Sequence, residues 1–176
     1  MAAKVSKVWK QITPELEAEL VAFWTKNKAI GEEADAAKRA KQVICIARDD
    51  SGELVGASTA HPRIVPRLRQ PMYYYRNFIA EGARGQQLAP EFLEQSKQAL
   101  QEYNLGLSKP LCLGMIIELE NKGLAQHRNE AQWKEGFTFI GYSPKGLTLR
   151  VWYFEGVRLF APAPIKKNPA RARARA

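Results

Sequence analysis

Apolar residues recur along this chain at two spacings, one typical of helices and the other typical of strands. Leu16, Leu20 and Phe23 follow the helical spacing after Thr13-Pro14, where the threonine hydroxyl can cap a helix and the proline suits its first turn. Short runs rich in aliphatic and aromatic residues predict strands. The predicted helices cover residues 14–31, 32–42, 89–104 and 123–135, and the predicted strands cover residues 43–48, 54–60, 73–79, 111–117, 137–142 and 147–154.

The order of these elements predicts a mixed sheet. A strand at 73–79, then a helix, then a strand at 111–117 imply a parallel pair with a right-handed crossover between its strands. The run at 111–117 is apolar on both faces, as in the centre of a sheet. We therefore expect a single α/β (α+β) domain over residues 1–160, with a central sheet of about six to seven strands flanked by helices.

Residues 61–71 interrupt the apolar pattern. They contain three prolines and three arginines. A proline has no N–H to give to the hydrogen-bond ladder of a sheet, so this segment is predicted to be a loop rather than an interior strand. The loop leads directly into the strand at 73–79.

Positive charge is concentrated at the C-terminal end. The chain of 176 residues has a formal charge of +9, and five of its 27 Lys and Arg residues lie in the last eleven positions. Residues 161–176 are basic, low in complexity and without apolar periodicity, so a disordered tail is predicted. Such a tail could attract nucleic acid weakly through its charge, or it could serve only to keep the protein in solution.

No stretch of the sequence predicts a membrane segment or a metal site. No apolar run approaches the roughly 20 residues that span a bilayer, and the N-terminus continues into polar sequence rather than into the core of a signal peptide. The Cys and His residues do not cluster at the spacing of metal ligands. We expect a cytoplasmic protein without a metal and without a membrane partner, either a monomer or a homodimer.

The turn after the strand at 73–79 has the composition of an anion site. Gly82 and Gly85 permit backbone conformations with φ above zero, and Pro90 suits the first turn of a helix. The N–H groups from about Gly85 to Leu88 are then left without partners within the helix, at the positive end of its dipole. Such a place holds a phosphate readily.

Two later patterns accompany this loop. The second buried strand ends in Glu118-Leu119-Glu120-Asn121, and the pair Gly136-Phe137 follows the next predicted helix. Together with Arg84-Gly85 and Ala89 in the loop, these residues resemble the GNAT superfamily of acyl-CoA-dependent N-acetyltransferases. The resemblance covers roughly residues 43–155.

The resemblance implies a fold in which the parallel strand pair is splayed at the site of the cosubstrate, acetyl-CoA. It also implies a reaction in which an amine attacks the thioester directly, without a covalent enzyme intermediate. The acceptor would be a small-molecule or peptide amine. The alternative is a noncatalytic binding or regulatory protein on the same scaffold, with nucleic acid as a partner of its basic tail.

In the GNAT family, amides of the loop cradle the CoA pyrophosphate, and the preceding strand gives main-chain hydrogen bonds to pantetheine. An asparagine after the next strand commonly contacts the cofactor arm; Asn121 occupies that place and could instead cap the following helix. The cofactor-binding residues implied here are Phe78, Ile79, Arg84, Gly85, Gln86, Gln87, Leu88, Ala89 and Asn121.

Gln87 departs from the family pattern, which usually has glycine at this position of the loop. A Cβ there restricts the backbone and crowds the phosphates. A loop that binds CoA is therefore expected to hold Gln87 at negative φ, with its side-chain amide turned outward.

The family's general acid has no counterpart at its usual position. Family members often carry a tyrosine four residues before the glycine of the Gly-Phe pair, placed to protonate the departing thiolate. Here that position is Gln132, followed by Trp133, and neither donates a proton usefully. Tyr142 is the candidate acid, and one of Tyr73 to Tyr75 is the alternative. The helix before the Gly-Phe pair is expected to be extended by about a turn.

Direct attack requires a neutral amine, so a base or a water relay must remove a proton. Glu118 is the candidate base. Glu120 lies two positions further along the strand and can share its face. His61 is a lesser candidate, with an ordinary loop residue as the alternative.

The arginines of the 61–71 segment lead toward this predicted centre. We hypothesise that Arg63, Arg67 and Arg69 select an anionic acceptor or contact a phosphate of CoA. An exposed, solvated loop is the alternative interpretation of the same residues.

Overall fold

The computed structural model describes residues 3–165, apart from the side chains of residues 122, 124 and 125. This part of the chain contains seven strands and four α-helices. The elements are β1 (Lys4–Lys7), α1 (Pro14–Lys26), α2 (Glu33–Ala40), β2 (Val43–Arg48), β3 (Leu54–Val65), β4 (Gln70–Ile79), a 3₁₀ turn (Glu81–Ala83), α3 (Leu88–Leu105), β5 (Gly114–Glu118), α4 (Lys122–His127), β6 (Thr138–Tyr142) and β7 (Thr148–Tyr153).

The seven strands form one mixed sheet in the order β1-β2-β3-β4-β5-β7-β6. Only β4 and β5 pair in parallel, and the other neighbouring strands pair antiparallel. The helix α3 connects the two parallel strands. The predicted sheet of six to seven strands, flanked by helices and containing one parallel pair, is confirmed.

The two faces of the sheet carry different helices. Tyr73, Tyr75 and Met115 pack in one buried cluster with residues of α3. Phe78 points the other way and its ring meets Phe23 of α1 at 5.6 Å. Successive residues of a strand point to opposite faces. We call these two sides the α3 face and the α1–α2 face.

The start of α1 follows the predicted signal. Thr13 has an extended backbone and its Oγ1 accepts a hydrogen bond from the Leu16 N–H at 3.3 Å. The helix ends at Lys26, earlier than predicted. The Asn27 side chain donates to the Phe23 carbonyl at 2.8 Å, and Lys28 has a φ of 51°, which turns the chain out of the helix.

The prediction of a loop over residues 61–71 is wrong for most of the segment. β3 continues to Val65 and pairs with β4 down to Val65 opposite Gln70. Pro62 is tolerated because β2 ends its pairing with β3 at Thr59, so none of the described strands lies on the other side of β3 beyond that point. The two strands project past β2 as a hairpin.

The predicted helix over residues 123–135 is also wrong beyond His127, where α4 ends. The buried Arg150 of β7 donates hydrogen bonds to the carbonyls of Arg128 and Glu130, the latter at 2.6 Å. A continuing helix would need these carbonyls for its own bonds. Instead the Trp133 N–H donates to the Phe137 carbonyl at 2.8 Å, which closes a tight turn.

The chain after β7 returns to the β3–β4 hairpin. The Gln70 side chain bonds both to the carbonyl and to the N–H of Phe160. Arg69 and Ala163 exchange two further hydrogen bonds, at 2.7 and 2.9 Å. The boundary at 160/161 stays a prediction, and residues 166–176 of the predicted tail lie outside the described residues. Among the described helices, none has the length and apolarity to cross a membrane.

Candidate functional site

The parallel strands β4 and β5 separate part of the way along their length. They pair only from Tyr73 opposite Met115 to Tyr75 opposite Ile117, although β4 continues to Ile79. Beyond this point β5 stays with β7, and β4 stays with β3. We call the opening between residues 76–79 of β4 and the end of β5 the wedge.

The main chain of β4 offers hydrogen-bonding groups to the wedge. Ala80 donates to the Val55 carbonyl on β3 at 2.9 Å. Because alternate residues of a strand use the same edge, Phe78 also directs its main chain toward β3, and Asn77 and Ile79 direct theirs toward the wedge. The predicted main-chain contact with a cofactor arm therefore fits the position of Ile79 and does not fit that of Phe78. The Ile79 carbonyl already accepts from Arg84 Nε at 3.2 Å.

The loop that follows β4 is anchored at both ends and exposed between them. Ala83 closes the 3₁₀ turn by donating to the Ala80 carbonyl at 3.0 Å, and it is buried in the same cluster as Leu88, the first residue of α3. Residues 84–87 between these two anchors are exposed. The helix begins one residue earlier than predicted.

Five consecutive N–H groups of this loop, from Gly85 to Ala89, have no hydrogen-bond acceptor among the described residues. The helix makes its first bond only at Glu91, whose N–H donates to the Gln87 carbonyl at 3.3 Å. Free N–H groups at the start of an 18-residue helix also lie at the positive end of its dipole. The loop is therefore built to accept an anion.

The expectation of negative φ at Gln87 is wrong. Its φ is 63° and its ψ is 10°, in the left-handed region where glycine is favoured. Gly85, two residues earlier, has a φ of 85°. The loop thus keeps the shape that glycine would give it, at a cost of about 1 kcal/mol for the Cβ of Gln87. The Gln87 side chain is exposed.

On the α1–α2 face, polar side chains gather where the wedge opens. Tyr74 Oη donates to Glu118 Oε2 at 2.6 Å and accepts from Arg76 Nη2 at 3.2 Å. Arg76 also pairs with Glu120 at 3.6 Å. Glu118 and Glu120 are therefore brought to one place, joined through Tyr74 and Arg76. Sequence reasoning missed Arg76, although its spacing of two from Tyr74 already places both on one face.

The carboxylate of Glu118 is held in its ionised form. Burial raises the pKa of Glu118, but its neighbours lower it by more. Ser143 and Tyr74 form hydrogen bonds with the carboxylate, and the positive charges of Lys145 and Arg63 add to this effect. The pKa of Glu118 therefore lies below its ordinary value. Burial and the bond to Glu118 raise the pKa of Tyr74, so its hydroxyl keeps its proton.

His61 lies directly opposite Tyr74 in the pairing of β3 with β4, with ring centres 5.6 Å apart. Burial lowers the pKa of its imidazole, and four nearby cations lower it further: Arg76, Arg63, Arg39 and Lys38. His61 is therefore neutral at pH 7.

The structure does not bring Tyr142 and Glu118 together. Tyr142 pairs with Thr148, and the next residue of β7, Leu149, pairs with Glu118. Since neighbouring residues point to opposite faces, Tyr142 lies on the α3 face and Glu118 on the α1–α2 face. Tyr142 is 58% exposed and its ring meets Phe139 at 5.2 Å.

The alternative acids, Tyr73 to Tyr75, are divided between the faces in the same way, and Trp133 beside the family's acid position lies in the core. Tyr73 and Tyr75 are buried in the core on the α3 face, where burial raises the pKa of both hydroxyls. Trp133, also buried, lies with its ring centre 4.1 Å from the guanidinium of Arg128 and 4.4 Å from that of Arg150. Of these residues, only Tyr74 reaches the polar groups around Glu118.

The three arginines of the 61–71 segment do not act as one group. Arg69 donates to the Ala163 carbonyl at 2.7 Å, and Arg67 donates to the Tyr142 carbonyl at 3.3 Å. Of these three arginines, only Arg63 has its guanidinium over the Tyr74 ring, at 5.0 Å from its centre. Asn121 is exposed between β5 and α4. Among the described residues, no group of His, Cys, Asp and Glu is arranged to hold a metal ion.

No family model matches the chain, and no curated protein sequence does. Solved structures do match it. An acetyltransferase of the GNAT family from Streptococcus pneumoniae is 16% identical, with a TM-score of 0.56 over 86% of this chain and 99% of that chain. A GNAT superfamily phosphinothricin acetyltransferase from Sinorhizobium meliloti, in complex with acetyl-CoA, is 15% identical, with a TM-score of 0.56 over 94% of this chain and 97% of that chain.

A GNAT family N-acetyltransferase from Escherichia coli, in complex with CoA, is 15% identical, with a TM-score of 0.53 over 86% of this chain and 82% of that chain. At sequence identities this low, the similarity of the structures shows the fold alone. The chemistry must be argued from the residues of the site. The splayed parallel pair, the loop of free N–H groups and these likenesses agree on that fold. The chain has the fold of the GNAT acetyltransferases.

Proposed function

We propose that this protein is an acyl-CoA-dependent N-acetyltransferase. The observation that carries the proposal is the row of unpartnered N–H groups from Gly85 to Ala89, beside the point where β4 and β5 separate. Two structures with the same fold contain acetyl-CoA or CoA. The acceptor is a small-molecule or peptide amine, and the protein acts in the cytoplasm.

The described residues suit the parts of acetyl-CoA. The N–H groups of residues 85–89 would bind its diphosphate, with Arg84 beside them. The edge of β4 at Asn77 and Ile79, which does not pair with β5, would bond to its pantetheine arm as a neighbouring strand does. Asn121, at the end of β5, would contact the same arm. Acetyl-CoA supplies the activated acetyl group, which passes to the amine without a covalent enzyme intermediate.

The amine must lose a proton before or during its attack, and Glu118 is the proposed acceptor of that proton. Its carboxylate is ionised and lies at the mouth of the wedge. A lowered pKa makes it a weaker base, so a water molecule that it orients would complete the relay. His61 is the second candidate base, because its imidazole is neutral at pH 7 and lies beside Tyr74.

Tyr142 is the proposed acid for the departing thiolate, from the α3 face. Tyr142 lies on β6, which is separated from β5 by β7 in the sheet. Since neighbouring strands lie about 4.8 Å apart, β6 is two strand spacings from β5. A thiol has a pKa of about 8.5 and can leave without a dedicated acid. Loss of the Tyr142 hydroxyl is therefore expected to slow the reaction only modestly.

A noncatalytic binding protein on the same fold is the second candidate function. The observation that favours it is the absence of a tyrosine at the family's acid position. Gln132 there forms a bridge with Thr138, and Trp133 is enclosed by two arginines. A weak contact of the basic tail, predicted over residues 161–176, with nucleic acid would belong to this function. Binding that falls steeply with salt and is lost when these residues are deleted would support it.

Binding of acetyl-CoA is the first test of the proposed function. We expect acetyl-CoA to raise the melting temperature of the purified protein and to give a saturable signal in titration calorimetry. A panel of amines, amino acids and peptides with detection of the released thiol then tests transfer. Binding without release of thiol for any acceptor would favour the noncatalytic candidate, and no binding would contradict the proposed transferase.

A further inference from the structure

Three arginines from different elements converge on the α1–α2 face at the mouth of the wedge. Arg76 of β4 and Arg63 of β3 have their guanidinium carbons 4.8 and 5.0 Å from the centre of the Tyr74 ring. Arg39 of α2 donates from Nε to Thr59 Oγ1 at 3.4 Å, and Thr59 is opposite Arg76 in the β3–β4 register. We call Arg39, Arg63 and Arg76 the arginine cluster.

The carboxylates beside the arginine cluster do not neutralise it. Glu118 accepts its hydrogen bond from Tyr74, and Glu120 lies 3.6 Å from Arg76. Arg39 and Arg63 have no carboxylate within ion-pair distance among residues 3–165. Three guanidinium groups against two carboxylates leave an excess of positive charge at the cluster.

The pKa values of groups in and beside the arginine cluster reflect this excess of positive charge. The pKa of the partly buried Arg39 is lowered by burial and then by the charge of Arg76. The same cations keep His61 neutral. Placing like charges together in a half-buried site is costly, and an anion removes that cost. Guanidinium groups bind carboxylate and phosphate oxygens in pairs, and they bind these oxyanions better than an ammonium does.

The arginine cluster is positioned to bind the acceptor, because it lies on the opposite face of the sheet from the loop. The loop leads into α3 and its anchors Ala83 and Leu88 are buried on the α3 face. Arg76 is the first residue of β4 beyond the last pair with β5, and its partners face the other side of the sheet. A cofactor arm that enters the wedge from the loop would come from the α3 face. The α1–α2 face would then stay open to the second substrate.

We infer that the acceptor is a small amine that carries its own carboxylate or a comparable oxyanion, and that the arginine cluster binds this anionic group while Glu118 lies beside the nitrogen. This inference rests on the proposed function and names its substrate class. Its structural basis is the convergence of three cations with two carboxylates at the mouth of the wedge. Carboxylate and phosphate share this chemistry, so the test separates them.

The test compares matched acceptors with the full-length protein and saturating acetyl-CoA. Each amino acid is assayed beside its amide and beside the amine that lacks the carboxyl group, and 2-aminoethyl phosphate represents the phosphate class. We expect kcat/KM for the anionic member of at least one set to exceed that of its neutral partners by about tenfold or more. A preference for 2-aminoethyl phosphate over all carboxylates would assign the cluster to phosphate.

Variants of the cluster supply the second half of the test. Arg63→Gln keeps a polar side chain at an exposed position, and we expect it to raise KM for the anionic acceptor about five- to tenfold with little change for the neutral amine. The control is Arg158→Gln, an exposed arginine after β7 with no ion pair among the described residues. It is expected to change neither constant.

The outcomes separate the inference from the proposed function. Equal turnover of anionic and neutral acceptors, or equal effects of Arg63→Gln and Arg158→Gln, would overturn the inference and leave the transferase intact. Acetyl-CoA binding without transfer to any anion-bearing amine would also overturn it. Failure of acetyl-CoA to bind at all would overturn the proposed function itself.

Discussion

The two faces of the sheet at the wedge carry two proposed anion sites of different construction. On the α3 face the site consists of main-chain N–H groups, from Gly85 to Ala89, and the side chains between its buried anchors point into solvent. On the α1–α2 face it consists of guanidinium groups from α2, β3 and β4. The first site depends on the conformation of the backbone. The second depends on which side chains the three elements bring together.

This difference sets what each site tolerates. The main-chain site should still bind an anion when its exposed side chains are replaced. It should bind more weakly when a residue in the left-handed conformation is replaced by one that strains the backbone there. The side-chain site should respond to single charge changes and be insensitive to backbone strain elsewhere. The proposed proton acceptor, Glu118, belongs to the second site, because Tyr74 connects it to Arg76.

The largest effect is expected from Glu118→Gln. Removing the ionised carboxylate removes the proposed proton acceptor, which should lower kcat about 100-fold or more while acetyl-CoA affinity stays unchanged. Steady-state kinetics and titration calorimetry measure the two quantities. Glu120→Gln is the matched control, because that carboxylate pairs with Arg76, whereas Tyr74 donates its hydrogen bond to Glu118. Equal losses in both variants would remove Glu118 from its assigned role.

A smaller effect, confined to the main-chain site, is expected from Gly85→Ala. Gly85 has a φ of 85° and open space where a Cβ would lie, so the change acts through the backbone alone. Gly52, in the turn between β2 and β3, has a φ of 84° and similar open space. Each alanine should cost about 1 kcal/mol of stability.

Only the change at Gly85 should weaken acetyl-CoA binding, by about fivefold, since a strain of about 1 kcal/mol at the loop is about that factor in affinity. Calorimetric titration of both variants gives the comparison. If Gly52→Ala weakens binding as much, or if Gly85→Ala leaves it unchanged, the loop is not the cofactor site.

Tyr74→Phe should alter the stability of the other site in a pH-dependent way. The hydroxyl helps to hold the pKa of Glu118 below its ordinary value, so this bond stabilises the fold above the unfolded pKa of about 4.3. The stabilisation, about 1 kcal/mol for one hydrogen bond, is lost as pH falls through the lower folded pKa of Glu118. Melting temperatures of wild type and Tyr74→Phe should differ at pH 7, and the difference should shrink as the pH falls below about 4.3. A difference that stays constant with pH would contradict the account of this pair.

The smallest effect is expected at Gln87. Gln87→Gly relieves the left-handed strain and should stabilise the protein by about 0.5 kcal/mol, because part of the gain is offset by the greater freedom of glycine in the unfolded chain. Acetyl-CoA affinity should rise no more than about threefold, since the loop already has the required shape. Gln87→Ala keeps the Cβ and is the control. A similar gain from alanine would assign the effect to the side-chain amide instead of the backbone.

The main-chain site could be predicted from sequence because all of its signals are local. Gly85 and Pro90 mark a turn into a helix within a few positions, and the helix began at Leu88 as the pattern indicated to within one residue. The parallel pair followed from the order of strand, helix and strand. What the pattern did not give was the φ of Gln87, since the loop imposes this conformation against the preference of the residue.

The arginine cluster could not be predicted in the same way, because its members come from three elements. That Arg39 and Arg63 lie on the same face follows only once the register of β3 with β4 and the packing of α2 are known. The two wrong elements have similar causes. Pro62 lies in a strand because β2 ends early, and the helix after His127 is lost because Arg150, far along the chain, takes its carbonyls.

The most direct test of the account is an amide proton–nitrogen correlation spectrum of the protein titrated with acetyl-CoA. The N–H signals of Gly85, Gln86, Gln87, Leu88 and Ala89 should shift together and become protected from exchange with solvent, because they would bind the diphosphate. Signals of the Gly52 turn should stay in place. Saturation with acetyl-CoA that leaves these five signals unmoved and unprotected would contradict the claim that the loop after β4 binds the cofactor.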